Sequence, residues 1–295
     1  MDLISIRDLD KKTIEELIER AEGFASGKNK SKIEGKILAT LFFEASTRTK
    51  LSFQSAALRM GMSYLDFSPE TSSLKKGESF VDTIRIVEGY ADAIAIRHPK
   101  EGSARVAADA AEIPVVNGGD GGNQHPTQTL IDLYSMKQMK GRITGLNVTL
   151  VGDLKHARAM RSLLYALAMF KAKVTMIAPR GLEMEEQYVK EVTEKFPIEI
   201  KIRNDPDYSD ADVLYVCRVQ KERFADPYEA QSIAERFRIK RSDLNNTKED
   251  LIILHPLPKI NEIEPAIDRM EQARYFKQAH NGVPVRQAVL EYLFR

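Results

Sequence analysis

From Leu146 onward the chain repeats one pattern, an apolar run of strand length followed by a segment with apolar residues at helical spacing. "LNVTLVGD" leads into Met160, Leu163, Leu164 and Leu167, which share one face of a helix between Ala157 and Phe170, and "KVTMIAP" follows. That is a βαβ unit. The alternation continues through "EEQYVKEVTEKF", "IEIKIR", "DVLYVCRV" and "DLIILHPLP", and it is also present before about residue 140. There, "KILATLFF", "YADAIAIRHP" and "IPVVNGGD" read as strands, while Ile14, Leu17, Ile18 and Ala21, then "SARVAADAAE" and "PTQTLIDLYSMKQMKG", read as helices. The pattern predicts an α/β protein of two domains, each a mainly parallel sheet flanked by helices.

Size and charge agree with that reading. A chain of 295 residues with 43% apolar content can build two ordinary cores. Lys plus Arg is 44 against 43 for Asp plus Glu, a net charge of +1, which argues against nucleic acid as a partner. No apolar run approaches the roughly eighteen residues a membrane span needs, and "MDLISIRDLDKK" lacks a signal-peptide core, so a cytoplasmic protein is expected. The single cysteine, Cys217, excludes an internal disulfide and reads as a small buried hydrophobe. Locally, Asp8 and Asp10 are both capping candidates for the first helix, and Gly23 and Gly27 are expected to break it. "DFSPETSSLKKGESF" is polar and reads as one long exposed loop.

The stretch "FFEASTRTKLSF" runs from strand to helix, with Phe53, Ala56, Ala57 and Met60 at helical spacing and Gly61 able to close the helix. Its hydroxyls therefore stand at a helix N-terminus, where unpaired N–H groups and the helix dipole favour an anion. Ser46 or Thr47 alone would be an ordinary N-cap; three hydroxyls with Arg48 among them suit a phosphate. In parallel sheets ligands sit beyond the carboxyl ends of the strands. Those ends deliver "EASTRT", "RHP", "NQHPTQ", "GDLKHAR", "CRVQ" and "HPLP", so the polar, unusual residues gather where a site belongs.

Taken in order, "FFEASTRTKLSF", "RHP", "NQHPTQTLIDLY", "VGDLKHAR", "RVQKER" and "HPLP" resemble the catalytic chains of the aspartate carbamoyltransferases over almost the full length. The resemblance implies transfer of a carbamoyl group from carbamoyl phosphate to L-aspartate in pyrimidine synthesis, with no metal or organic cofactor. It implies a carbamoyl phosphate domain at 1–126 with 276–295, an interdomain helix at 127–140 and an aspartate domain at 141–275. By motif, Ser46, Thr47, Arg48 and Thr49 would hold the phosphate and Arg97 would bridge phosphate and carbonyl oxygen. His125 and Thr49 would donate to that oxygen, and Gln128 would meet the carbamoyl amide. Arg158 would take the α-carboxylate of aspartate, Arg218 with Gln220 its side-chain carboxylate, and Pro256, Leu257 and Pro258 would offer backbone carbonyls, with a cis bond at Pro258. Ser73, or a neighbouring serine, and Lys76 would reach in from the next subunit of a homotrimer, and a separate regulatory chain is a further partner the family allows.

Three rivals have sequence tests. Ornithine carbamoyltransferases share the "STRT" and "HPTQ" chemistry, but typically have a cysteine in place of Pro256 and an "S-M-G" stretch that this chain lacks. A nucleotide-binding oxidoreductase fits the βαβ unit, yet "VGDLKHAR" lacks the further glycines of a dinucleotide loop. A non-catalytic phosphate binder would have no use for Arg158, Arg218 and Gln220.

Overall fold

The computed structural model describes residues 1–219 and 226–295. The chain divides into two compact units, residues 1–134 with 280–295 and residues 135–279.

In the first unit the elements run α1 (Lys11–Ala25), β1 (Ile37–Phe42), α2 (Thr47–Arg59), β2 (Ser63–Phe67), α3 (Phe80–Glu88), β3 (Ala93–His98), α4 (Ser103–Ala110), β4 (Val115–Asp120) and α5 (Pro126–Lys140), whose last residues belong to the second unit. The four strands form a parallel sheet in the order β2-β1-β3-β4. Central strands of such sheets are buried on both faces and read as unbroken apolar runs. Thus Ala39, Leu41, Ile94, Ile96 and Val115 form one core with Ile84 and Ala107 of the covering helices.

The second unit runs β5 (Asn147–Val151), α6 (Arg158–Met169), β6 (Lys173–Ile177), α7 (Glu186–Lys195), β7 (Ile200–Arg203), β8 (Val213–Val216), α8 (Pro227–Arg236), β9 (Ile252–Leu254) and α9 (Tyr275–His280). Its sheet is also parallel, in the order β7-β6-β5-β8-β9. Val151, Ile177, Leu214, Val216, Ile253 and Tyr275 lie in its core. α10 (Gly282–Leu293) returns to the first unit and packs on α1 and α2.

Both strand orders reverse once, between β1 and β3 in the first unit and between β5 and β8 in the second. At such a reversal the connections leave in opposite directions and open a crevice at the carboxyl ends of the two strands. The two crevices are where the expected site residues fall.

Several local expectations need correction. α1 passes through Gly23 and ends at Ala25, because a single glycine weakens a packed helix without ending it; Asp10 is its cap, accepting from Thr13 N at 2.7 Å. The segment read as one loop from Asp66 to Phe80 begins inside β2 and contains short 3₁₀ turns at Pro69–Thr71 and Ser73–Lys76. β2 escaped notice because it is an edge strand with mostly exposed side chains, so it carries no apolar run.

Candidate active site

β1 delivers the "EASTRT" segment directly into α2. Ser46 is the N-cap residue, with φ −159° and ψ 91°, but its side chain makes no capping hydrogen bond. The first helical bond runs from Lys50 N to Ser46 O at 3.2 Å, so the N–H groups of Thr47, Arg48 and Thr49 precede the ladder. Thr47 and Arg48 are exposed at this end, Ser46 is half-buried, and Thr49 is buried.

Arg97 arrives from the neighbouring strand. The β1–β3 register pairs Phe42 with Arg97, which brings the arginine alongside the start of the hydroxyl segment. Its Nε lies 2.7 Å from Glu44 Oε1, and a terminal nitrogen donates to Gly118 O at 3.3 Å. Gly118 is the point where the parts meet: a Cβ built there would lie 3.4 Å from Thr49 Cγ2 and 3.7 Å from Arg97 Cβ. Thr49 and Arg97 therefore converge over one glycine of β4.

The loop after β4 carries His125. Buried Asp120 organises it, accepting from Asn117 Nδ2 at 2.8 Å, Gln124 N at 3.1 Å, Gly102 N at 2.9 Å and Asn123 Nδ2 at 3.0 Å. His125 is buried, and its carbonyl accepts from Gln128 N at 3.0 Å and Thr129 N at 3.2 Å, opening α5. Gln128 Nε2 donates to Asp132 Oδ1 at 2.8 Å. A carboxylate only accepts, so the amide nitrogen faces it and the amide oxygen is left to accept elsewhere.

Behind this face lies an arginine that sequence reading missed. Arg286 of α10 is buried, its guanidinium stacked 4.8 Å from the Phe53 ring of α2. Burial, and after it the charge of Arg97, pulls its pKa down to about 9. Two repelling cations are relieved by an anion placed near them. Its sequence sign is an arginine placed between the apolar residues of "GVPV" and "AVL" in one helix. Glu44 and Asp120 were missed as well, since a buried polar contact leaves no periodicity.

Ser73 and Lys76 stand on the 3₁₀ turn closed by Gly77 at φ +92°, and both are exposed. Among the described residues, no hydrogen bond or ion pair joins either side chain to residues 46–49, 97 or 125.

In the second unit, three adjacent strand ends carry the remaining candidates. Arg158 opens α6 after β5 and is half-buried; Arg218 follows β8 and is also half-buried; Pro256 and Leu257 follow β9. Gln220 lies outside the described residues. The crevice between β5 and β8 is tight: Gly152 has φ +117°, and a Cβ there would fall 2.1 Å from Cys217 O, so only glycine fits. Cys217 is buried, which pushes its thiol pKa up, and its Sγ donates to Asp153 O at 3.3 Å. It is a packing residue, as its sequence setting indicated. The Leu257–Pro258 peptide is cis.

Among the described residues, no group of three His, Cys, Asp or Glu side chains is placed to hold a metal ion, and no helix is long and apolar enough to cross a membrane. Residues 1–138 match the family description "Aspartate/ornithine carbamoyltransferase, carbamoyl-P binding domain", and residues 144–293 match the corresponding "Asp/Orn binding domain". The chain is 49% identical over 298 residues to the aspartate carbamoyltransferase catalytic subunit of Thermococcus onnurineus, covering 98% of this chain and 95% of the relative. With that of Archaeoglobus fulgidus it shares 46% over 293 residues, covering 98% and 97%. The catalytic subunit of M. jannaschii aspartate transcarbamoylase superposes with a TM-score of 0.90 at 43% identity, covering 99% and 97%. The Trypanosoma cruzi aspartate transcarbamoylase, in complex with carbamoyl phosphate and aspartate, superposes with a TM-score of 0.91 at 33% identity, covering 98% and 95%.

Proposed function

Because the chain belongs to the aspartate/ornithine carbamoyltransferase family, we propose that it transfers the carbamoyl group of carbamoyl phosphate to the α-amine of L-aspartate, giving N-carbamoyl-L-aspartate and phosphate. The observation that carries the reading is the convergence of Thr49 and Arg97 over Gly118, beside a helix N-terminus whose cap side chain is unspent.

The first unit supplies the cradle. Ser46, Thr47, Arg48 and Thr49 bind the phosphate through backbone N–H groups, hydroxyls and the guanidinium. Arg97 bridges phosphate and carbonyl oxygen, and His125 and Thr49 donate to that oxygen as it gains charge. Gln128, its nitrogen engaged by Asp132, accepts from the carbamoyl NH2 through its free oxygen. The second unit supplies the clamp: Arg158 for the α-carboxylate, Arg218 with Gln220 for the β-carboxylate, and the carbonyls of Pro256 and Leu257 for the amine.

In the reaction the neutral amine attacks the carbonyl carbon and forms the C–N bond. The C–O bond to phosphorus then breaks, the electron pair leaves with phosphate, and the phosphate takes the amine proton. No organic cofactor or metal is called for by these steps. The chain acts in the cytoplasm, in pyrimidine biosynthesis, as a homotrimer in which Ser73 and Lys76 of one copy complete the cradle of the next, and a separate regulatory chain can join it. A trimer of the 33.3 kDa chain has a mass of about 100 kDa by light scattering, and a bound regulatory chain would add to it.

The purified chain is tested with carbamoyl phosphate and either L-aspartate or L-ornithine, reading ureido product and released phosphate. Equimolar product and phosphate with aspartate is expected. Turnover with ornithine and none with aspartate would overturn the assignment.

A further inference from the structure

His255 stands between β9 and the Pro256–Leu257 turn, 2% exposed, with its backbone N–H and both ring nitrogens engaged. Its N–H donates to Gln278 Oε1 at 2.8 Å. Its Nδ1 accepts from Leu257 N at 2.7 Å, and its Nε2 lies 2.7 Å from Glu262 Oε1. Because Leu257 N is a donor, Nδ1 must present a lone pair, and the ring proton therefore sits on Nε2 and is donated to Glu262. The other oxygen of Glu262 accepts from Ile260 N and Asn261 N, each at 3.0 Å. Burial works against the Glu262 charge, but the bonds from His255 and the backbone outweigh it and hold the carboxyl below its ordinary pKa.

With both ring nitrogens spent, His255 is not placed to move protons. What it holds is a backbone that resists its own conformation: Leu257 has φ +52°, in the left-handed region that non-glycine residues rarely occupy. A strained residue keeps such a φ only where its surroundings determine it, and here the surroundings are the Leu257 N–His255 bond and the Glu262 brace behind it. The direction of the Pro256 carbonyl relative to Leu257 follows from that φ, and the bond from Leu257 N holds the peptide unit that carries it.

We propose that His255 and Glu262 are positioning residues for the amine of the aspartate substrate, fixing the turn whose Pro256 and Leu257 carbonyls receive it. The inference rests on the proposed role of those carbonyls.

Two replacements separate the ring atoms. Asparagine puts an acceptor near the position of Nδ1, so His255→Asn keeps the bond to Leu257; glutamine puts its amide near Nε2, so His255→Gln keeps Glu262 and loses Leu257. His255→Gln is expected to raise the aspartate KM by about three- to tenfold, the size of one lost hydrogen bond, with the carbamoyl phosphate KM unchanged and His255→Asn restoring most of the loss. Inhibition by succinate, a dicarboxylate without the amine, should move little in either variant, because it uses only the arginines. Equal aspartate KM values in the two variants, or a matching loss of succinate affinity, would overturn the proposal. If His255→Gln does not fold, His255→Ala also loses the bond to Leu257 and should raise the aspartate KM above that of His255→Asn, with the same contrary outcomes. Pro256→Gly loosens the turn directly, because it removes the φ that proline fixes. If it leaves the aspartate KM unchanged, the carbonyls do not bind the amine; if it raises the KM while His255→Gln does not, the carbonyl role stands and the positioning role fails.

Discussion

Thr49, Arg97 and His125 each owe their place to a neighbour that touches no substrate in the proposed scheme. Gly118 leaves room for the threonine and the arginine to converge, Glu44 holds the Arg97 Nε, and Asp120 ties the loop from which His125 emerges. Donors fixed in this way need not reorganise as the carbonyl oxygen gains charge, so their effect falls on the transition state more than on binding. His125→Ala is accordingly expected to lower kcat by roughly one to three powers of ten with little change in either KM. Steady-state kinetics check this; an unchanged kcat would remove His125 from the reaction. The motif residues themselves were legible in the sequence, because three hydroxyls and an arginine between an apolar strand and an amphipathic helix are an unusual combination. Their supports were not legible, since a buried carboxylate such as Asp120 is recognised by what surrounds it in space.

At the scale of the elements, an aromatic cluster ties down both ends of the segment that carries Ser73 and Lys76. Phe43 after β1 lies 5.2 Å from Phe67 at the end of β2 and 5.5 Å from Phe80 at the start of α3, and the His98 ring packs 4.9 Å from Phe43 and 5.1 Å from Phe80. His98 Nδ1 accepts from Lys100 N at 3.0 Å, which requires a neutral ring. Burial, then the Lys100 charge, hold its pKa below the ordinary 6.5, although Glu44 and Asp120 pull the other way. A folded-state pKa below the unfolded one means that the unfolded chain binds the proton more readily. This contribution to stability is therefore complete above about pH 6.5 and is lost as the pH falls through the folded value. Calorimetry should show Tm falling on acidification below pH 6.5, with a shallower fall in His98→Phe; equal slopes would show that the ring does not titrate in this way. Most strands behind these contacts were legible as apolar runs. β2 and α3 were not, because an exposed edge strand has no such run and α3 follows directly on a polar stretch that masks its start.

For the whole molecule, alternation of strand and helix on both sides of residue 140 was enough to foresee two parallel α/β units, and the strand orders then explain why the motifs cluster at the β1/β3 and β5/β8 reversals. Sequence alone did not show how the exposed 73–76 turn finds a target. In the proposed homotrimer, a head-to-tail interface that closes after three copies would give the exposed Lys76, which has no ion-pair partner among the described residues, a fixed target in the phosphate held by the next copy. One cradle of the proposed trimer then draws on Arg48 of one copy and Lys76 of another. Arg48→Ala and Lys76→Ala proteins, each nearly inactive alone, can be dissociated, mixed in equal amounts and reassembled. Random assembly leaves about one site in four with both side chains intact, so roughly a quarter of the wild-type activity should return. No recovery on mixing, with reassembly verified by mass, would mean that each chain builds its own site and would contradict the account.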